Sequence, residues 1–135
     1  MEKNSSSKAM HLSLWVVQVL LAAMFLMSGF MKASMPIEQL STRLPWATTV
    51  PVGLVKFIGL SELLGGLGLL LPSLLRIKPT LTVWAALGLA TIMLLAIPFH
   101  ISRDETPIIG MNAVFMLLAI FIAWGRWKKA PIPAK

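Results

Sequence analysis

Four apolar runs constrain this chain more than any other feature. They cover residues 12–31, 53–71, 81–100 and 107–124. Each approaches the ~20 residues an α-helix needs to cross roughly 30 Å of hydrocarbon. The whole sequence has 135 residues, the size of one small domain. Charged residues make up only 13% of it, against roughly a quarter in soluble domains. With a mean hydropathy of +0.82, too few charges remain to coat a globule in water. The expected fold is an all-α membrane protein, a four-helix transmembrane bundle forming a single domain over residues 1–135. The absence of cysteine removes disulfides, thiol redox chemistry, thiolate zinc and cysteine-ligated iron–sulfur clusters together.

Punctuation falls between the runs. Pro36, Pro45 and Pro51 interrupt the first connection, Pro72 and Pro79 the second, and Pro107 opens the last span at a tolerated first-turn position. The first run exceeds the apolar core of a signal peptide and lacks a small-x-small cleavage site, so an uncleaved helix is expected. Four spans place both ends of the chain on one side. That side holds eight Lys and Arg residues: Lys3, Lys8, Arg76, Lys78, Arg126, Lys128, Lys129 and Lys135. The other holds Lys32, Arg43 and Arg103, with Lys56 just inside the second helix. The positive-inside rule then makes both termini cytoplasmic, with residues 125–135 a basic cytoplasmic tail. The net charge of +7 reads as topology and contact with anionic lipid, with no need for nucleic acid.

The long outer connection has Ile37, Leu40 and Leu44 on one helical face. A short interfacial helix from about Pro36 to Leu44 is expected, ended by Trp46. It would either cap an outward-opening cavity or simply pack at the interface.

Lipid supplies no hydrophobic drive between helices, which therefore meet through small residues and shared polar contacts. Gln18, Ala22, Phe25, Gly29 and Lys32 form one stripe on the first span, and Gly59, Glu62 and Gly66 cluster on the second. Thr82 to His100 and Asn112 to Arg126 bound comparable stripes on the third and fourth. Gly65 and Gly68 add small faces to the second helix, which leaves a homo-oligomer open. Glu62 stands out, lying roughly 13 Å below the outer boundary, where a charge is costly and functional by default. Lys32, Lys56, His100 and Asn112 all approach it from the outer side. The five residues form either a ligand or proton site or a salt bridge that sets helix register. Lys56 is about 9 Å from Glu62 along the axis and well round the helix, so pairing needs its full reach.

Met24, Met27, Met31 and Met35 share a helical spacing, but two histidines and no cysteine make them gap-fillers rather than a Cu(I) site. No metal site is expected. A phosphate loop, a Ser-His-Asp order and a His-x-x-His spacing are all missing from the sequence, which argues against a hydrolase.

Several strings resemble the DoxX-like family of small bacterial membrane proteins. They include Ser28-Gly29-Phe30-Met31-Lys32, Leu44-Pro45-Trp46 and the stretch from Phe57 through Ser61-Glu62 and Gly65-Gly66-Leu67-Gly68 to Pro72. Phe99-His100 through Arg103-Asp104-Glu105, Asn112, and Trp124-Gly125-Arg126 continue the set. The resemblance implies a bacterial inner-membrane bundle and gives weight to Lys32, Glu62, His100, Arg103 and Asn112, with Ser28 and Ser61 beside them. It also associates the chain with membrane redox partners and quinone-linked systems. An accessory, non-catalytic redox subunit with a quinone as ligand follows as the leading expectation. A small proton-coupled exporter using Glu62 and an assembly partner are the alternatives.

Overall fold

A computed structural model describes residues 2–135, with side chains described from residue 8 onward. Lys3, counted above for orientation, thus has a side chain outside the described residues. Five α-helices follow in order: α1 (Glu2–Ser34), α2 (Ile37–Arg43), α3 (Val52–Leu75), α4 (Thr80–Ser102) and α5 (Thr106–Trp124). A 3₁₀ turn, Pro45–Thr48, separates α2 from α3, and a π-helical turn, Gly125–Lys129, extends α5. No strand occurs among the described residues.

Four of the helices are long and apolar enough to cross a membrane: Lys8–Ser34 within α1, then α3, α4, and α5 with its π turn. They form an up-and-down bundle in which α1 packs on α3 and α5, and α4 packs on α3 and α5. Its solvent logic is inverted. Leu20, Phe30, Phe57, Leu64, Trp84, Leu95 and Leu117 are exposed on the outside. Gln18, Lys32, Glu62, Thr82, His100, Asn112 and Arg126 are buried within. Hydrocarbon accepts the first set at no cost and would charge heavily for the second. This is a membrane protein with lipid around its four apolar helices.

The helices outrun the apolar windows at several ends. Pro72 does not end α3 at Leu71; the helix continues to Leu75, with Pro72 inside it. A proline so near the end forfeits a single hydrogen bond. The turn is also tied across the bundle, since Ser73 Oγ and Thr82 Oγ1 lie 2.8 Å apart. Pro98 likewise lies inside α4.

One core occupies the middle and the end where α1 begins and α5 finishes. It includes Leu21, Phe25, Leu69, Ala86, Leu89 and Ile122. A second, smaller core sits at the opposite or distal end, where Leu40 of α2, Trp46, Ala47 and Val55 are buried together. The long first connection therefore folds down onto the bundle. Leu40 anchors α2 there, and Pro36 and Pro51 precede the helices that flank it.

Candidate functional site

The distal half is organised by two glycines. A Cβ on Gly29 would fall 2.6 Å from the Gly59 carbonyl oxygen and 3.1 Å from Glu62 Cβ. One on Gly59 would fall 2.6 Å from the Ala33 nitrogen and 2.7 Å from Lys32 Cβ. Only hydrogen fits at both positions, so α1 and α3 touch backbone to backbone. That contact brings the next polar side chains together. Lys32 Nζ donates to Glu62 Oε1 at 2.9 Å, and Ser28 Oγ, one turn earlier on α1, donates to the same oxygen at 3.1 Å. Both contacts fall on Oε1. Among the described residues Oε2 has no hydrogen-bond partner.

Trp46 covers the pair. Lys32 Nζ lies 5.7 Å from its ring centroid, within cation–π range. The same indole meets Phe99 and His100 edge-on at 5.8 and 5.9 Å. His100 is oriented from the other side. Its Nδ1 donates to Glu105 Oε1 at 2.9 Å, and Arg103 Nε donates to that oxygen at 2.8 Å. With Nδ1 donating, Nε2 of the neutral ring is an acceptor. The Glu105 carboxyl is held below its ordinary value, chiefly by the His100 hydrogen bond; desolvation opposes this, and the Arg103 hydrogen bond and charge add to the lowering.

These groups border a cavity of about 470 Å³, within the usual range for small-molecule sites. Ser28, Lys32, Glu62, His100 and Asn112 supply its polar lining. Phe25, Met93 and Phe115 are among its apolar walls, and Leu44, Trp46 and Val50 bring the long connection in as a roof. Leu54, Phe57 and Leu95, which also line it, are exposed on the lipid-facing surface of α3 and α4. The cavity is thus bordered on that side by residues that lipid touches. Asn112 is buried against it and makes no side-chain hydrogen bond among the described residues.

Four of the five residues that approach one another in the sequence reading thus share one cavity. Lys56 does not join them. Its Nζ donates to the Met35 carbonyl at 2.9 Å, fastening α3 to the end of α1. Arg103 stands one step away, acting on Glu105. Ser61 is part-buried beside Glu62 in sequence and does not line the cavity. Gly66 packs against Leu26 and Ala22, Gly65 against Leu89, and Gly68 against Ala85, so these glycines serve the α1–α3 and α3–α4 contacts. Trp46 and Glu105 were not among the site residues read from the sequence. An indole after a proline and a carboxylate in a charged turn give no local sign of what they will face. No group of three His, Asp or Glu residues suited to a metal occurs among the described residues.

A second polar network lies at the other end of the bundle. Arg126 Nε donates to Gln18 Oε1 at 2.6 Å, and Gln18 Nε2 donates to the Leu69 carbonyl at 2.7 Å. The stripe positions of Gln18 and Arg126 place both inside, but their pairing was not legible.

No curated protein and no solved structure matched the chain. A family model did, the DoxX-like family, over residues 16–122. That stretch takes in the whole of α3 and α4, most of the other two apolar helices and every residue of the distal cavity, and the chain belongs to the DoxX-like family.

Proposed function

We propose that this DoxX-like protein is an accessory subunit of a membrane redox system, acting as a single-domain unit in the bacterial inner membrane. The basic end would face the cytoplasm, as Lys and Arg asymmetry favours, and the distal cavity would hold the polar head of a small lipid-soluble ligand. One observation carries this reading: polar groups from α1, α3, α4 and α5 converge on one apolar cavity bordered by lipid-facing residues.

A quinone head fits that donor set. Its carbonyl oxygens accept hydrogen bonds, and Lys32 Nζ and the Asn112 amide are donors on the cavity wall. A bound quinone would supply two-electron, two-proton redox chemistry. The chain's own part is to orient the head, exclude water beneath the Trp46 roof, and hold charge at Glu62. His100, fixed by Glu105, presents an imidazole that can exchange a proton. A redox partner protein would deliver or take the electrons.

The test is purification in mild detergent with quinone analysis of the extract, followed by melting curves with added short-chain quinone. Co-purified quinone and a dose-dependent rise in melting temperature are expected. Absence of both overturns the reading. The ion pair to Lys32 weighs against the exporter, because Glu62 already holds an internal cation where a cationic substrate would need to bind.

A further inference from the structure

Arg126 is buried, with 4% of its surface exposed, at the end where α1 begins and α5 finishes. Every partner of its guanidinium is neutral. Nε donates to Gln18 Oε1, Nη1 donates to the Ala130 carbonyl at 2.9 Å, and Nη1 donates to His11 Nδ1 at 2.8 Å. The Trp15 ring lies 5.3 Å from Cζ. Nη2 is enclosed and has no hydrogen-bond partner among the described residues. A buried cation is costly unless an opposite charge stands beside it.

Among the described residues no carboxylate side chain stands beside Arg126. The chain's five acids are Glu2, Glu38, Glu62, Asp104 and Glu105. The last four belong to the distal half. Glu2 precedes His11 by nine residues on α1, about 13 Å along the axis. The surroundings are instead basic, with Lys8, Arg76, Lys78, Lys128 and Lys129 at the same end. Trp124 and Trp127, near Arg126 in sequence, are exposed, and exposed tryptophans at the end of a span favour the headgroup level.

We propose that Arg126 is an anion site, in which Nη2 receives an oxygen of a phosphate group. The phosphate is that of an anionic phospholipid headgroup or a free phosphate ion; planar guanidinium N–H groups suit either. Arg126 lies buried in the π-helical turn Gly125–Lys129, a feature frequent at functional sites. Ala130 is buried, and its carbonyl closes one edge of the guanidinium. The segment after it is fastened by Arg76, whose Nε donates to the Pro133 carbonyl and whose own carbonyl accepts from the Lys135 N–H. An anion reaching Nη2 displaces part of that cover.

The full chain is reconstituted in phosphatidylcholine bicelles and melted in three conditions at equal ionic strength: no addition, part of the lipid replaced by phosphatidylglycerol, or inorganic phosphate added. A near-saturating anion should raise the melting temperature by roughly 5 °C. A rise with phosphatidylglycerol alone identifies a headgroup site, and a rise with phosphate identifies a free-ion site; either supports the proposal. The rise should persist in K128Q/K129Q and vanish in R126Q. R126K, which keeps the cation and removes Nη2, covers the case in which R126Q fails to fold, and should lose the rise too. No rise in the parent protein, loss in K128Q/K129Q, or retention in R126Q or R126K overturns the proposal, the middle result indicating diffuse surface charge.

Discussion

Lys32 Nζ and Glu62 Oε1 lie 2.9 Å apart, with side chains 11% and 2% exposed, at the place where Gly29 and Gly59 let two helices meet backbone to backbone. The pair is buried on both sides, so each charge depends on the other. Removing one partner strands its mate in a low-dielectric interior, which typically costs about 3–5 kcal/mol. Glu62→Gln should therefore lower stability by that order. Lys32→Met combined with Glu62→Gln should recover most of the loss. Melting of the single and double variants in one detergent checks this; an equal loss in both would mean that the pair is not electrostatically coupled.

Gly29→Ala tests the backbone contact directly. The added methyl would meet the Gly59 carbonyl at 2.6 Å and the Leu63 nitrogen at 2.7 Å, groups that move only if the helices separate. A cost of about 1–3 kcal/mol is expected. Gly53→Ala, where no atom lies within 4 Å of the added carbon, is the control and should be close to neutral. A difference in denaturation midpoint between the two variants is the readout.

Acid should weaken the clamp on His100. Glu105 has its carboxyl held below the ordinary value of 4.5, chiefly by the His100 hydrogen bond. A folded-state pKa below the unfolded one means that the stabilisation is fully present above the unfolded value. It is lost as pH falls through the folded value. Stability should thus decline below about pH 4.5, and Glu105→Gln should flatten that part of the profile while leaving the slope from other carboxylates. Melting temperature against pH for both proteins decides it.

Asn112→Leu removes an amide that makes no side-chain hydrogen bond among the described residues, so the ligand-free protein should melt close to the parent. Losing one hydrogen bond to a bound quinone head should weaken binding about tenfold. Titration with short-chain quinone, read by thermal shift, separates this from a folding defect. Unchanged affinity would place the head group away from α5.

Much of the architecture was legible because hydrocarbon leaves the backbone no choice. A run such as Leu81 to His100 must satisfy its N–H and C=O groups internally, so helix formation there is a local matter. Interior faces were legible for a related reason: Gln18, Glu62, Asn112 and Arg126 could not face acyl chains. Helix ends were less so. Pro72 reads as a stop, yet α3 carries it near its end and finishes at Leu75, because one missing bond near a terminus is tolerated when Ser73 is tied to Thr82.

Partner choice was decided only in three dimensions. Three basic residues approached Glu62 from one side, and sequence spacing did not rank them. Gly29 and Gly59 set the distance and rotation of α1 against α3, and this gave the carboxylate to Lys32, turned Lys56 to the Met35 carbonyl, and left His100 to Glu105. The roof over the cavity arose the same way, from a connection whose Trp46 found Lys32, Phe99 and His100 only after Leu40 had anchored it. Burial in lipid is a property each residue carries along the chain, whereas a hydrogen bond between helices exists only at one relative position of two rigid bodies. The first is written in composition and period; the second depends on packing.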